Sequence, residues 1–237
     1  GPLTAEYCYS PPRRRFTMWS MQSNVLRPVA VALIGLFLIP AALSAQEPVR
    51  YTVLIAGNQA GFQTTTVGSD GTLTFAYEYN DRGRGPKLSS TIHLDAAGIP
   101  TSVQTSGNDY LKAPVTETFT LTNGVARWDN GAEKDERKLT SPAFYLSLQP
   151  VPEELALLAD ALRRARGGSL PLLPAGQAWV RKTADATVRS GDASRHVVAY
   201  QIDGLGFDPV SVWLDDSGKF FAGVSASVHA RQSPAPQ

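Results

Sequence analysis

The chain has 237 residues, 22 Lys+Arg against 21 Asp+Glu, and a hydrophobic content of 43%. That length holds one or two small domains with a sizeable core. A net charge of +1 argues against a dedicated nucleic-acid binder, and the single cysteine, Cys8, excludes an intrachain disulfide framework and a cysteine-based zinc site.

Residues 1–45 read as an N-terminal extension and signal peptide. Arg27 precedes the apolar run "VAVALIGLFLIP" (Val29 to Pro40), and "AALSAQ" follows with small residues. A basic segment, an apolar core and a small-residue cleavage site make a secretory signal, with cleavage expected after Ala45. The run is shorter than the roughly 20 residues of a membrane span, so no stable membrane insertion is expected after cleavage. An uncleaved anchor is one alternative. Another is twin-arginine export through Arg13-Arg14-Arg15-Phe16. The expected location is the periplasm or the extracellular space.

Residues 1–45 hold four arginines and one glutamate, which leaves 18 basic and 20 acidic residues beyond them. Residues 46–228 are expected to form a single β-rich domain, and 229–237, rich in Pro and Gln, a disordered tail. "RYTVLIA" and "GFQTTTV" flank a hairpin-type turn at Gly57-Asn58. In "TLTFAYEYN" Leu73, Phe75, Tyr77 and Tyr79 fall on one face at period two. "LSSTIHLD" and "IPTSVQTSG" are split by Ala96-Ala97-Gly98, and "VTETFTLT" and "VARWD" by Asn123-Gly124, a strong hairpin signal. The charged "DNGAEKDERKLTSP" (Asp129 to Pro142) lacks alternation and reads as an exposed loop.

"VPEELALLADALRRARGG" predicts the one helix, about 152–166. Pro152 suits its first turn, and Glu153 and Glu154 complement the helix dipole. Leu155, Leu158, Ala159 and Leu162 make one apolar stripe. Arg163, Arg164 and Arg166 read as the dipole complement at its end rather than as an anion site. Four more strands follow, the last two joined at Asp215-Asp216-Ser217-Gly218. The predicted fold is mainly β (α+β): a curved antiparallel meander of about ten strands with the helix packed against it. Tyr77, Tyr79, Phe119, Trp128, Phe144, Tyr145, Trp179, Tyr200 and Trp213 are the expected large core or groove residues.

No catalytic, cofactor-binding or metal-binding residue is assigned, and no cofactor. His93, His196 and His229 are far apart and read as ordinary core or surface residues. There is no Gly-x-Ser-x-Gly elbow. Asp215-Asp216 reads as turn chemistry rather than a carboxylate pair. In "NDRGRGPKLSS" Pro86 stands between Gly85 and Lys87, removes an N–H donor, and precedes a strand, so the stretch is a turn and not a phosphate loop.

The segment "YEYNDRGRGPKLSSTIHLDAAGIPTSVQTSGNDYLKAPVTETF" (Tyr77 to Phe119) resembles the β-rich N-terminal region of exported bacterial proteins of the metal-dependent amidohydrolase family. "GGSLPLLPAGQAWVRK" and "YQIDGLGFDPVSVWLDDSGKFFAGVS" are similar to its continuation. The resemblance implies an accessory role beside a C-terminal or separate amidohydrolase barrel that hydrolyses C–N bonds. The chain lacks the His-x-His of that barrel, so no catalytic residue carries over. The alternative expectation is a periplasmic carrier of a lipid or other apolar small molecule in the concave face of the sheet. A continuous apolar groove not filled by the helix favours the carrier. A third alternative is a self-sufficient hydrolase with a new site.

Overall fold

The computed structural model describes Ala5–Tyr9, as backbone, and residues 47–225; the expected signal run, the tail and His229 lie outside the described residues. Fifteen strands form one sheet. In chain order they are β1 (Ala5–Tyr9), β2 (Val49–Ile55), β3 (Asn58–Val67), β4 (Leu73–Tyr79), β5 (Lys87–Leu94), β6 (Pro100–Asn108), β7 (Pro114–Thr122), β8 (Val125–Asp129) and β9 (Lys134–Lys138). After β10 (Phe144–Tyr145) and α1 (Pro152–Arg164) come β11 (Ser169–Leu173), β12 (Gln177–Ser190), β13 (Ala193–Asp203), β14 (Val210–Asp215) and β15 (Phe220–Ser225).

Two meanders make up this sheet, β2 to β9 and β11 to β15. Ala5–Tyr9, which the sequence places in the N-terminal extension, lies as β1 between β2 and β15 and joins the two meanders. Every pairing is antiparallel except β10 with β11, which run parallel. Local chemistry sets the tight hairpins. Asn123 and Gly124 both take positive φ, 52° and 73°, the primed-turn geometry that follows strand twist. The first hairpin turns at Ala56-Gly57, one residue earlier than the sequence reading.

The sheet is not flat. Phe119 on β7 and Tyr145 on β10 stand near opposite ends of the strand order, yet their rings stack at 4.2 Å. The strands therefore curl into a β-barrel-like roll, mainly β with one helix. Between β9 and β11 the chain crosses the inside of this roll and leaves α1 there. Leu158, Ala159 and Leu162 are fully buried, and Ala156 and Ala161, on either side of that stripe, are buried as well. Each buried leucine contributes about 1.5–3 kcal/mol of transfer free energy.

Several expectations are corrected. The strands number fifteen among the described residues rather than about ten, because β1 and the short β9, β10 and β11 lack alternation or length. The helix ends at Arg164, not 166, where Ala165 turns extended. The charged segment after Asp129 is not all loop: Lys134–Lys138 is an edge strand, exposed at every position. Full exposure removes the alternation a reader looks for, and a charged edge resists further pairing. Of the expected large core residues, Tyr77, Phe119, Trp128, Phe144 and Tyr145 are buried, Tyr79, Tyr200 and Trp213 are half-buried, and Trp179 is 46% exposed.

Candidate functional site

Two places gather polar chemistry. The first is a buried band across the concave face of the roll. Alternation points Gln63 and Thr65 inward from β3, Ser90 from β5, Thr105 from β6 and Glu117 from β7, all buried. Register aligns Thr65, Phe75, Ser90, Thr105 and Glu117 in one row across five strands. Ser90 Oγ and Thr105 Oγ1 share a hydrogen bond of 2.8 Å in its middle.

The first turn of α1 closes on this row. Glu153 accepts hydrogen bonds from Gln63 Nε2 (3.1 Å) and Thr65 Oγ1 (3.0 Å). Glu154 Oε1 accepts the Ser147 amide at 2.8 Å. At the far end, Tyr145 Oη donates to Glu117 Oε1 at 2.5 Å, and the Leu148 amide also reaches that carboxylate. Burial pushes the Glu153 carboxyl up to about 7, against the pull of Thr65, Gln63 and Lys219. Burial does the same to Glu154, to about 7, and neighbouring Glu117 adds to the rise. Glu117 is itself raised by burial, and Tyr145 is raised by burial and by its bond to Glu117.

The second place is an open cleft at the rim. It has a volume of about 620 Å³ and is lined by Gln59 to Phe62, Glu78 to Asn80, Pro86, Lys87 and Lys112. The Gly83–Lys87 turn builds one wall. Asn80 Oδ1 caps the Gly83 amide (2.9 Å), and Asp81 and Arg84 form a one-residue bridge. The loop after β6 clamps the turn: Tyr110 Oη donates to Asp81, the Gly85 amide to Tyr110 O, and Lys112 Nζ to Gly85 O at 2.6 Å. Gly85 has φ +124°, and a Cβ there would stand 2.1 Å from Tyr79 O. Lys87 pairs with Glu78 at 3.2 Å, and the Arg50 guanidinium lies 3.7 Å from the centre of the Phe62 ring. The turn is a clamped wall, with Pro86 buried and its nitrogen unable to donate.

Other sequence candidates stay apart. His93 Nδ1 meets Thr72 Oγ1 at 3.3 Å, and His196 Nδ1 meets Asp216 at 2.6 Å, on different parts of the sheet. Asp215 accepts bonds from Ser217 and Lys219 within its own turn. Arg163 and Arg164 both pair with Asp160. Among the described residues, no group of three or more His, Cys, Asp or Glu is placed to hold a metal ion. No helix among them is long and apolar enough to cross a membrane. Sequence reading missed the buried band. Its signal was present as polar residues at the inward phase of consecutive strands.

No protein-family model matches the chain, and no curated protein matches it. A solved structure that matches is a β-barrel-like protein of a domain of unknown function, DUF1849, from Brucella abortus. It is 12% identical, covers 94% of each chain, and superposes with a TM-score of 0.37. The resemblance to the amidohydrolase N-terminal region is therefore corrected: no family model and no curated protein of that kind matches the chain. Its main marker, "GRGPK", has a local cause. Gly85 is needed because the backbone passes against Tyr79, and Pro86 leads into the strand that Lys87 starts.

Proposed function

We propose that the chain is a non-catalytic binding module that takes a small ligand at the rim cleft beside Tyr79. One observation carries this reading. The concave face, where an apolar ligand was expected, is filled by the chain's own helix, whereas the rim cleft stands open. Its lining joins aromatic rings (Phe62, Tyr79), amides (Gln59, Asn80) and charges of both signs (Glu78, Lys87, Lys112). Few convergent polar groups around aromatic surface suit a small organic molecule with a ring and a charged group. The apolar run ahead of Ala45 supports an exported setting for this module, which N-terminal sequencing of the protein from its native host tests directly.

The probe for the cleft is 8-anilinonaphthalene-1-sulfonate, which carries both rings and an anion. Fluorescence titration is expected to give saturable binding. Phe62→Ala and Lys87→Ala are each expected to weaken it about tenfold, or about 1.4 kcal/mol. Binding that is absent, or equal in all three proteins, would overturn the reading.

A further inference from the structure

We propose that Glu153 and Glu154 form a protonation latch: neutral, they seat the first turn of α1 and its leading strap, residues 143–151, inside the roll, and ionised, they loosen both. This goes beyond ligand binding at the rim and does not depend on it.

The geometry of the latch is unusual. Two adjacent carboxyls on one helical turn are both buried, with Glu154 at 1% exposure. No cation forms an ion pair with either among the described residues, although Lys219 is near enough to act on Glu153 at a distance. The groups facing Glu153 are Gln63 and Thr65 from β3, both neutral. Facing Glu154 are the Ser147 backbone from the strap and Glu117 from β7, an acid. Glu154 Oε2 and the Ser147 hydroxyl are each buried without a hydrogen bond of good geometry, though the hydroxyl is close enough to favour the charge. Glu117 in turn faces Tyr145, which also feels Glu154 and Glu133. An ionised Glu154 thus has the Ser147 amide, weaker help from the Ser147 hydroxyl and the Val151 backbone, and a neighbouring acid. A neutral one removes the repulsion and the desolvation of a charge.

The direction follows from linkage. Both carboxyls lie near 7 when docked, against 4.5 as the ordinary value. The docked form binds more protons than the released form across that window. Docking is therefore strongest below the ordinary value and is lost as pH rises through 7. The carboxyls sit on the first turn of α1, directly after the strap that carries Phe144 and Tyr145, so one event reaches α1 and the roll's inner edge together.

Hydrogen exchange of the full chain, corrected for intrinsic rate, tests this. Between about pH 5.5 and about pH 8.5, protection of residues 143–160 is expected to fall at least about tenfold while β4 to β6 hold. The Glu153→Gln/Glu154→Gln double variant is expected to show no such fall. An equal fall in the double variant, or none in the wild type, would overturn the latch. Should the double variant not fold, carbon-detected NMR titration of the wild-type glutamate carboxyls decides. Two midpoints near neutrality support the latch, and midpoints all below about 5 refute it.

Discussion

Gln63 and Glu153 exchange two hydrogen bonds across 90 residues of sequence: Gln63 Nε2 donates to the Glu153 carboxylate at 3.1 Å, and the Glu153 amide donates to Gln63 Oε1 at 3.3 Å. One side chain on β3 thereby serves both a side chain and an orphan amide of the helix start. Gln63→Leu keeps the volume and removes both bonds. The cost is expected to be about 2–3 kcal/mol in urea unfolding, since a buried acid loses a donor. Sign matters here. The Gln63 bond lowers the Glu153 pKa, so it favours the charged form. The loss should therefore be larger above pH 7 than below it, and an equal loss at both would count against an ionising Glu153.

Tyr145 serves two neighbours with separate parts of its side chain. Its ring stacks on Phe119 with planes 9° apart, and its hydroxyl donates to Glu117. Tyr145→Phe keeps the stack and leaves the buried Glu117 with the Leu148 amide alone. Thermal unfolding should show a loss of about 1–3 kcal/mol. Tyr145→Ala also opens a cavity where the two ends of the sheet meet, and about 3–5 kcal/mol is expected. If the two variants cost the same, the ring contact adds nothing to closure of the roll.

The legible parts of the fold are those fixed by neighbours in sequence. Asn123-Gly124 needs only two adjacent residues that tolerate positive φ, and Asp215 to Gly218 needs only an acid that accepts from its own turn. The stripe at Leu158, Ala159 and Leu162 needs only helical spacing. What was hidden depends on register. Thr65, Ser90, Thr105 and Glu117 are ordinary polar positions until pairing aligns them into one buried row. Glu153 and Glu154 looked like dipole complements because that role is local, whereas Glu153 is met by a glutamine 90 residues away and Glu154 by Ser147 and Glu117. Trp179 looked like core because tryptophan is large and apolar, yet on β12 it takes the outward phase beside the buried Ala178. The amidohydrolase resemblance rested on a turn whose residues answer to a close backbone approach.

The two glycines of that turn should differ sharply. Gly83 has φ +87° with open space where a Cβ would go, so Gly83→Ala pays only backbone strain, about 1 kcal/mol. Gly85 combines φ +124° with a Cβ position 2.1 Å from Tyr79 O. Gly85→Ala must push two backbone segments apart, and a loss above about 3 kcal/mol is expected. Because Gly85 also receives Lys112, the same change should distort the rim cleft and weaken anilinonaphthalene sulfonate binding, while Gly83→Ala leaves it intact. Similar stability for the two variants would show that the 79–87 backbone relaxes freely.

Leu158 and Leu155 sit on neighbouring turns of α1 and test how completely the helix fills the roll. Leu158 is fully buried, and α1 packs there against β11 to β15. Leu155 is only half-buried. Leu158→Ala should cost about 2–5 kcal/mol, the range for a cavity in a core that cannot collapse. Leu155→Ala should cost clearly less. The carrier expectation is tested by the same pair. Any apolar cavity of this kind accepts a small aromatic, so benzene should restore part of the stability lost in Leu158→Ala, and the wild type decides whether the roll itself has room for an apolar ligand. Recovery with Leu158→Ala but no effect on the wild type is the expected outcome for an interior already occupied by its own helix. Stabilisation of the wild type by benzene would instead return the ligand site to the concave face.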